Sequence, residues 1–202
     1  MVLDPVNRAS RWRYDENAPK NYDDAALWCG GYWTQHGVNH GKCGLCGDSY
    51  SDIRPRKHEI GGSFGQGVIT KTYKTNAIIT IGVQITVNHK GYFWFDLCNF
   101  DLLDGAAKIM EEEECFNEKL LTVNGEEYWY LTSSEAKLYE VHLKLQNTTC
   151  NHCILRWTYV AGNNWGTCEN GTQALGCGPQ EHFRTCSDIS IRNTKADQKL
   201  GI

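Results

Sequence analysis

No apolar run approaches the roughly 20 residues needed to span a bilayer, so a membrane span is not expected. Charge of one sign is not in excess either. Twenty Lys and Arg face 24 Asp and Glu, and the net charge of −4 gives no footprint for nucleic acid or an anionic membrane. The chain begins MVLDPVNRASRWR, without a basic stretch followed by an apolar segment of leader length, so it does not read as a secretory precursor. G-x-x-x-x-G-K and H-E-x-x-H are both missing, which removes two common catalytic readings. No convincing pair of glycosidase carboxylates and no internal repeat appears.

What is present points outside the cell. Ten cysteines (Cys29, Cys43, Cys46, Cys98, Cys115, Cys150, Cys153, Cys168, Cys177 and Cys186) are even in number and spread along the chain. They read as a disulfide framework made in an oxidising compartment, with connectivity open. The rival is a zinc site from Cys43-x-x-Cys46 and Cys150-x-x-Cys153, although zinc ribbons usually hold their two pairs much closer in sequence. N-x-T sequons at Asn147 and Asn170 fit a secreted glycoprotein. At 202 residues the chain holds one sizeable core, expected over residues 1–192, with 193–202 as a tail or the start of a linker.

Residues 1 to about 66 lack sustained periodicity and read as irregular, with a short helical turn around Asp23 to Cys29. Beyond them the period-two signal is clear. Ile79, Ile81, Val83, Ile85 and Val87 alternate with polar or small residues, and YFWFDL follows after Lys90-Gly91, read as a turn between paired strands. Val141 to Leu145, Leu155 to Tyr159 and Ile189 to Ile191 give three further strands. The acidic run Glu111 to Glu114 reads as a solvated loop or short helix. The expected fold is an all-β, disulfide-stapled antiparallel β-sandwich with long, partly helical loops.

His89 continues the alternation of Ile79 to Val87 onto the same face. It is a core or rim histidine, or a metal ligand at a strand end; one imidazole alone does not hold a transition metal. His36, His40, His58, His142, His152 and His182 read as surface residues, with His142 on the polar face of its strand.

Six strings then occur in order over residues 3–191: LDPVNRASRWR, WCGGY, KCGLCGD, TVNHKGYFWF, CNHCILRWTYVAGNNWGTCENG and GCGPQEHFRTCSDISI. Together they resemble the lytic polysaccharide monooxygenases of auxiliary activity family 15, invertebrate enzymes allied to the type-4 chitin-binding domain. The resemblance implies an immunoglobulin-like or fibronectin-type-III-like sandwich with one copper ion on a flat face, held by a histidine brace. It implies His89, in Asn88-His89-Lys90-Gly91, as one copper ligand. The other ligands would be the amine and imidazole of a first-residue His, which members follow with Gly and a segment like MVLDP. That His is therefore expected ahead of Met1, and the chain as printed is expected to bind copper poorly and to be impaired.

Phe183 falls at the axial position, where many relatives have Tyr, and would shield the metal. Glu181 falls where these enzymes carry a Gln or Glu that hydrogen-bonds an oxygen species on the copper. Tyr22 and Trp165 are the expected sugar-facing aromatics, and Val87 stands where relatives often have Ala. The implied function is copper-dependent oxidative cleavage of crystalline polysaccharide, chitin before cellulose, by a secreted monomer using an external electron donor and oxygen or peroxide. The alternatives are a non-catalytic chitin-binding module and a secreted structural or signalling domain.

Overall fold

A computed structural model describes residues 1–103 and 111–193; the expected tail lies outside the described residues from 194 onward. Among the described residues twelve strands form in chain order: β1 (Val2–Asp4), β2 (Lys71–Lys74), β3 (Ile78–Gln84), β4 (Tyr92–Asn99), β5 (Glu118–Lys119), β6 (Leu121–Thr122), β7 (Trp129–Tyr130), β8 (Leu138–Lys144), β9 (Cys150–Val160), β10 (Trp165–Thr167), β11 (Gln173–Leu175) and β12 (His182–Arg192). One sheet runs β1-β3-β8-β6. The other runs β2-β12-β9-β4-β5 with β7 on β4, and β10 and β11 form a separate hairpin. This is the all-β sandwich that the alternation predicts. Pairing is antiparallel except between β2 and β12, which run parallel. No helix among the described residues is long and apolar enough to cross a membrane.

The core lies between the two sheets. Ile79, Ile81 and Val83 of β3 and Val141 and Leu143 of β8 pack against Phe93, Phe95 and Leu97 of β4 and Leu155, Trp157 and Tyr159 of β9. Yet β9 is also buried on its other face, where Ile154 joins Leu45, Cys46, Phe100, Phe116 and Cys186. That second cover includes part of the loop-rich first third. A sheet roofed on both sides explains why β9 reads CILRWTYV, almost without interruption by polar residues.

All ten cysteines are paired, which replaces the zinc reading. The bridges are Cys29–Cys43, Cys46–Cys186, Cys98–Cys115, Cys150–Cys153 and Cys168–Cys177. Cys46–Cys186 ties the first third to β12.

Four expectations need correction. Lys90-Gly91 is not a hairpin turn. It carries the chain from β3 in one sheet to β4 in the other, because alternation fixes a strand's face and not its partner. Asp23 to Cys29 forms turns, and the short helices fall elsewhere. A 3-10 helix spans Arg8–Arg13, with the Asn7 carboxamide oxygen accepting from Ala9 and Ser10 N–H at 2.9 and 3.2 Å, and a π-helical turn spans Thr34–Val38.

The acidic run does enter a short 3-10 helix, Glu113–Cys115, as one of its two readings has it, but it is not all solvated. Glu111 is fully buried, 2.6 Å from the Arg8 guanidinium, and accepts from the Ile60 N–H at 3.1 Å. Nor are all the remaining histidines at the surface. His58 is buried with Nδ1 2.7 Å from Asp48, and half-buried His152 places Nε2 2.7 Å from Asp188. Partly buried His182 is held at about 4, first by burial and then by the charges of Arg184 and His36, and so stays neutral. His142 does lie on the exposed face of β8, beside Thr80.

Candidate functional site

The inward alternation of β3 persists through Ile85 and then fails: Val87 is 63% exposed and His89 half-buried. The chain is leaving its sheet there, and His89 stands on the corner between the layers. The corner is held tightly. Asn88 accepts the Lys90 N–H at 2.7 Å, and its own amide donates to the Glu135 carbonyl at 2.8 Å. Gly91 has φ +81°, and a Cβ there would stand 2.0 Å from the Val160 carbonyl oxygen, so only glycine lets the chain pass so close. The His89 N–H donates to the Tyr159 hydroxyl at 3.0 Å, and its carbonyl accepts from Gly162 at 2.9 Å.

The imidazole makes its own contacts. Nδ1 lies 3.1 Å from the Asn163 amide. An asparagine amide can present oxygen or nitrogen at one position. With oxygen presented, Nδ1 keeps the proton and Nε2 keeps a lone pair free for a metal. Phe183 of β12 stacks with the imidazole, centroids 6.5 Å apart and planes 18° apart, and also lies on Tyr159 at 5.5 Å. Glu181, two residues earlier, has its carboxyl raised by burial, against the opposing pull of His89 and the Tyr32 backbone N–H.

These groups share one cavity of about 340 Å³, whose walls include Met1, Tyr22, Trp28, Gln84, Val87, His89, Tyr159, Glu181 and Phe183. Met1 also lines it. Its amine donates to the Gln84 carbonyl at 2.9 Å, and its carbonyl accepts the Gln84 N–H at 2.9 Å, the double exchange of an antiparallel ladder. Burial lowers that amine to about 5, opposed only by Asp24.

Among the described residues no three His, Cys, Asp or Glu side chains gather to hold a metal ion. His89 is the one imidazole on the cavity wall, so a transition-metal site is incomplete from these residues alone.

Of the two aromatics expected to face sugar, Tyr22 is 73% exposed and lies edge-on to Trp12 at 5.2 Å, on the cavity rim. Trp165 is 65% exposed at the start of β10 and does not line the cavity. Gln180 fixes its loop by accepting the Asn164 N–H at 3.0 Å and donating to the Cys177 carbonyl at 2.8 Å. Sequence reasoning missed Asn163, Tyr159 and Gln180 as supports. Asn163 sits inside AGNNWG and Tyr159 inside the β9 alternation, but neither pattern reveals a contact with His89. Both sequon asparagines, Asn147 and Asn170, are exposed.

Comparison with known proteins bears on this geometry. A family model described as lytic polysaccharide mono-oxygenase, cellulose-degrading, matches residues 1–189. The solved structure of a lytic polysaccharide monooxygenase AA15 from Thermobia domestica, in the Cu(I) state, superimposes with a TM-score of 0.88 at 39% identity, over 95% of this chain and 97% of that one. An entomopoxvirus fusolin structure aligns at a TM-score of 0.43 and 12% identity, over 100% of this chain and 77% of its own. None of the curated proteins compared with the chain matches it.

Proposed function

The chain belongs to the lytic polysaccharide mono-oxygenase family, a family of copper-dependent oxidative enzymes acting on polysaccharide, and we propose that it cleaves crystalline chitin, or secondarily cellulose, at a copper site built around His89. The observation that carries the reading is the meeting of His89, Phe183 and Glu181 with the end of the β1 ladder in a single cavity.

The ligand set would be completed by a His-Gly pair ahead of Met1, as the likeness to the AA15 enzymes implies. Met1 pairs with Gln84, so two more residues continuing the antiparallel ladder would run beside Ile85 and Thr86 toward His89.

His89 and the preceding His, with its terminal amine, would then hold one copper ion through nitrogen donors, a set that suits copper. When bound, copper supplies the one-electron chemistry with oxygen or peroxide that oxidises a glycosidic C–H bond. The chain's own residues do the rest. Tyr159 and Asn163 fix the His89 backbone and ring, and Phe183 covers one side of the imidazole. Glu181, raised by burial, holds or releases a proton at its carboxyl oxygens beside the site. Tyr22 and Trp165 offer exposed ring faces to the polymer. Val87, on the rim, narrows the approach. The five disulfides and the exposed Asn147 and Asn170 support a secreted, glycosylated protein.

The test is to incubate the full chain, with His-Gly ahead of Met1 and loaded with copper, with reductant and either chitin or cellulose. Oxidised oligosaccharides are expected by mass spectrometry, and copper binding far tighter than in the chain beginning at Met1. Binding of polymer with no oxidised product would favour a non-catalytic binding module. Tight 1:1 copper binding by the Met1 chain would overturn the proposed ligand set.

A further inference from the structure

Trp33 is 74% exposed and lies outside the cavity, and nothing in the site's chemistry uses it. A single exposed aromatic is ordinary. Two features make this one different.

The first is how the ring rests. A Cβ built on Gly37 would stand 3.0 Å from Cδ2, 3.0 Å from Cε3 and 3.1 Å from Cε2 of the Trp33 indole. The ring therefore lies against the Gly37 backbone, one face covered and the rest turned to solvent. Glycine at 37 is not required by the backbone, since its φ lies outside the left-handed region. What its missing Cβ provides is room for the ring.

The second is how the underlying turn is anchored. Trp33 leads into the π-helical turn Thr34–Val38, a rare element that tends to occur at functional sites. Fully buried Gln35 accepts the His182 N–H at 3.2 Å, and its amide donates to the Gly41 carbonyl at 3.3 Å. The His36 Nε2–H donates to the Gln180 carbonyl at 2.7 Å. The turn is thus bonded to the residues immediately before and after Glu181. A surface aromatic with no task would not need registration to the strand that carries the site.

We propose that Trp33 is a stacking platform for a sugar ring of the same polysaccharide chain, a subsite set off from the cavity along the π-helical turn. The inference rests on the functional reading above. The ligand it fits is a β-linked pyranose whose equatorial substituents leave an apolar face of axial C–H groups. That face covers an indole well, and Trp33 presents one held flat and in place, at little cost in side-chain freedom.

The experiment uses the full chain with His-Gly ahead of Met1, loaded with copper, and measures its binding to crystalline chitin and cellulose without reductant, beside oxidation with reductant and a melting curve for each variant. Trp33→Ala should weaken partition onto the polymer about fivefold, the scale of one aromatic stacking contact, and Trp33→Phe should restore most of it. Gly37→Ala keeps the indole but pushes a Cβ into it, so it should weaken binding in the same direction with the melting temperature unchanged. If the unsubstituted chain binds and oxidises polymer while Trp33→Ala and Gly37→Ala bind as tightly, the platform is overturned and the functional reading stands. Weakening by Trp33→Ala with Gly37→Ala unaffected overturns the flat-lying geometry. If the unsubstituted chain neither binds nor oxidises either polymer, the functional reading fails and the platform with it.

Discussion

The guanidinium of Arg8 meets the carboxylate of Asp188 in a buried two-point fork, Nε to Oδ2 at 2.8 Å and Nη2 to Oδ1 at 2.7 Å. The same guanidinium reaches the His58 carbonyl at 2.8 Å and lies 2.6 Å from Glu111. It fastens the 3-10 helix after β1, the first-third loops and β12 to a single point. Arg8 is shifted upward in consequence: burial opposes its charge, but the carboxylates of Asp188 and Glu111 outweigh that cost.

Replacing Asp188 with Asn leaves Arg8 buried without one of its two charge partners. The expected loss is about 3–5 kcal/mol of unfolding free energy, read from a denaturant midpoint. Acid should act along the same line. Burial alone would raise the Asp188 carboxyl, but Arg8 and His152 more than offset it and hold the group at about 2, below its ordinary 3.8. Its stabilising contribution is therefore present above 3.8 and is lost as pH falls from there toward 2, because the unfolded chain takes up the proton first. In Asp188→Asn that part of the acid slope should disappear from the pH dependence of the melting temperature.

The bridge Cys46–Cys186 closes a separation of 140 residues, against 14 for Cys29–Cys43. Constraint of the unfolded chain grows with loop length, so Cys46→Ser/Cys186→Ser should cost more than Cys29→Ser/Cys43→Ser, within a range of about 2–5 kcal/mol. Guanidinium midpoints of the two double variants check this. An equal or reversed order would mean that the Arg8 cluster already constrains the long loop.

Tyr159→Phe removes the hydroxyl that receives the His89 N–H and keeps the ring that lies on Phe183. Stability should fall by about 1 kcal/mol, as for one lost hydrogen bond. In the His-Gly-extended chain, copper affinity should fall about tenfold, the usual effect of removing a ligand's outer support. Calorimetric titration beside a melting curve separates the two effects. Unchanged affinity would mean that the Asn88 turn and Gly91 hold His89 unaided.

The strands were legible because burial on one face of a sheet writes a period of two, as in Ile79 to Ile85 and Val141 to Leu145. Pairing was not, since Lys90-Gly91 looks the same whether the next strand joins the same sheet or the opposite one. The helices Arg8–Arg13 and Thr34–Val38 left no amphipathic trace. They are held by the Asn7 cap and by bonds to the remote residues Gln180 and His182, not by a periodic apolar face. Glu111 and His58 looked solvated because a buried ion is recognised only by its partner, here Arg8 and Asp48. Within the site, His89 was visible as a strand-end imidazole. Phe183 and Glu181 were reached only through the motif around them. Asn163 and Tyr159 depend on contacts across the fold, which no local pattern encodes.

The corner Asn88–Gly91 has a consequence for how the molecule would register strain. His89 belongs to neither layer, while Met1 continues the four-stranded sheet, Phe183 rides on the six-stranded one and Glu181 stands just ahead of β12. An ion held between His89 and a residue continuing β1 would tie this corner to the four-stranded sheet and act as a gauge of their separation. On gentle warming, before the ladders themselves give way, a small shift of the corner should first register as a change in the spectrum of that ion.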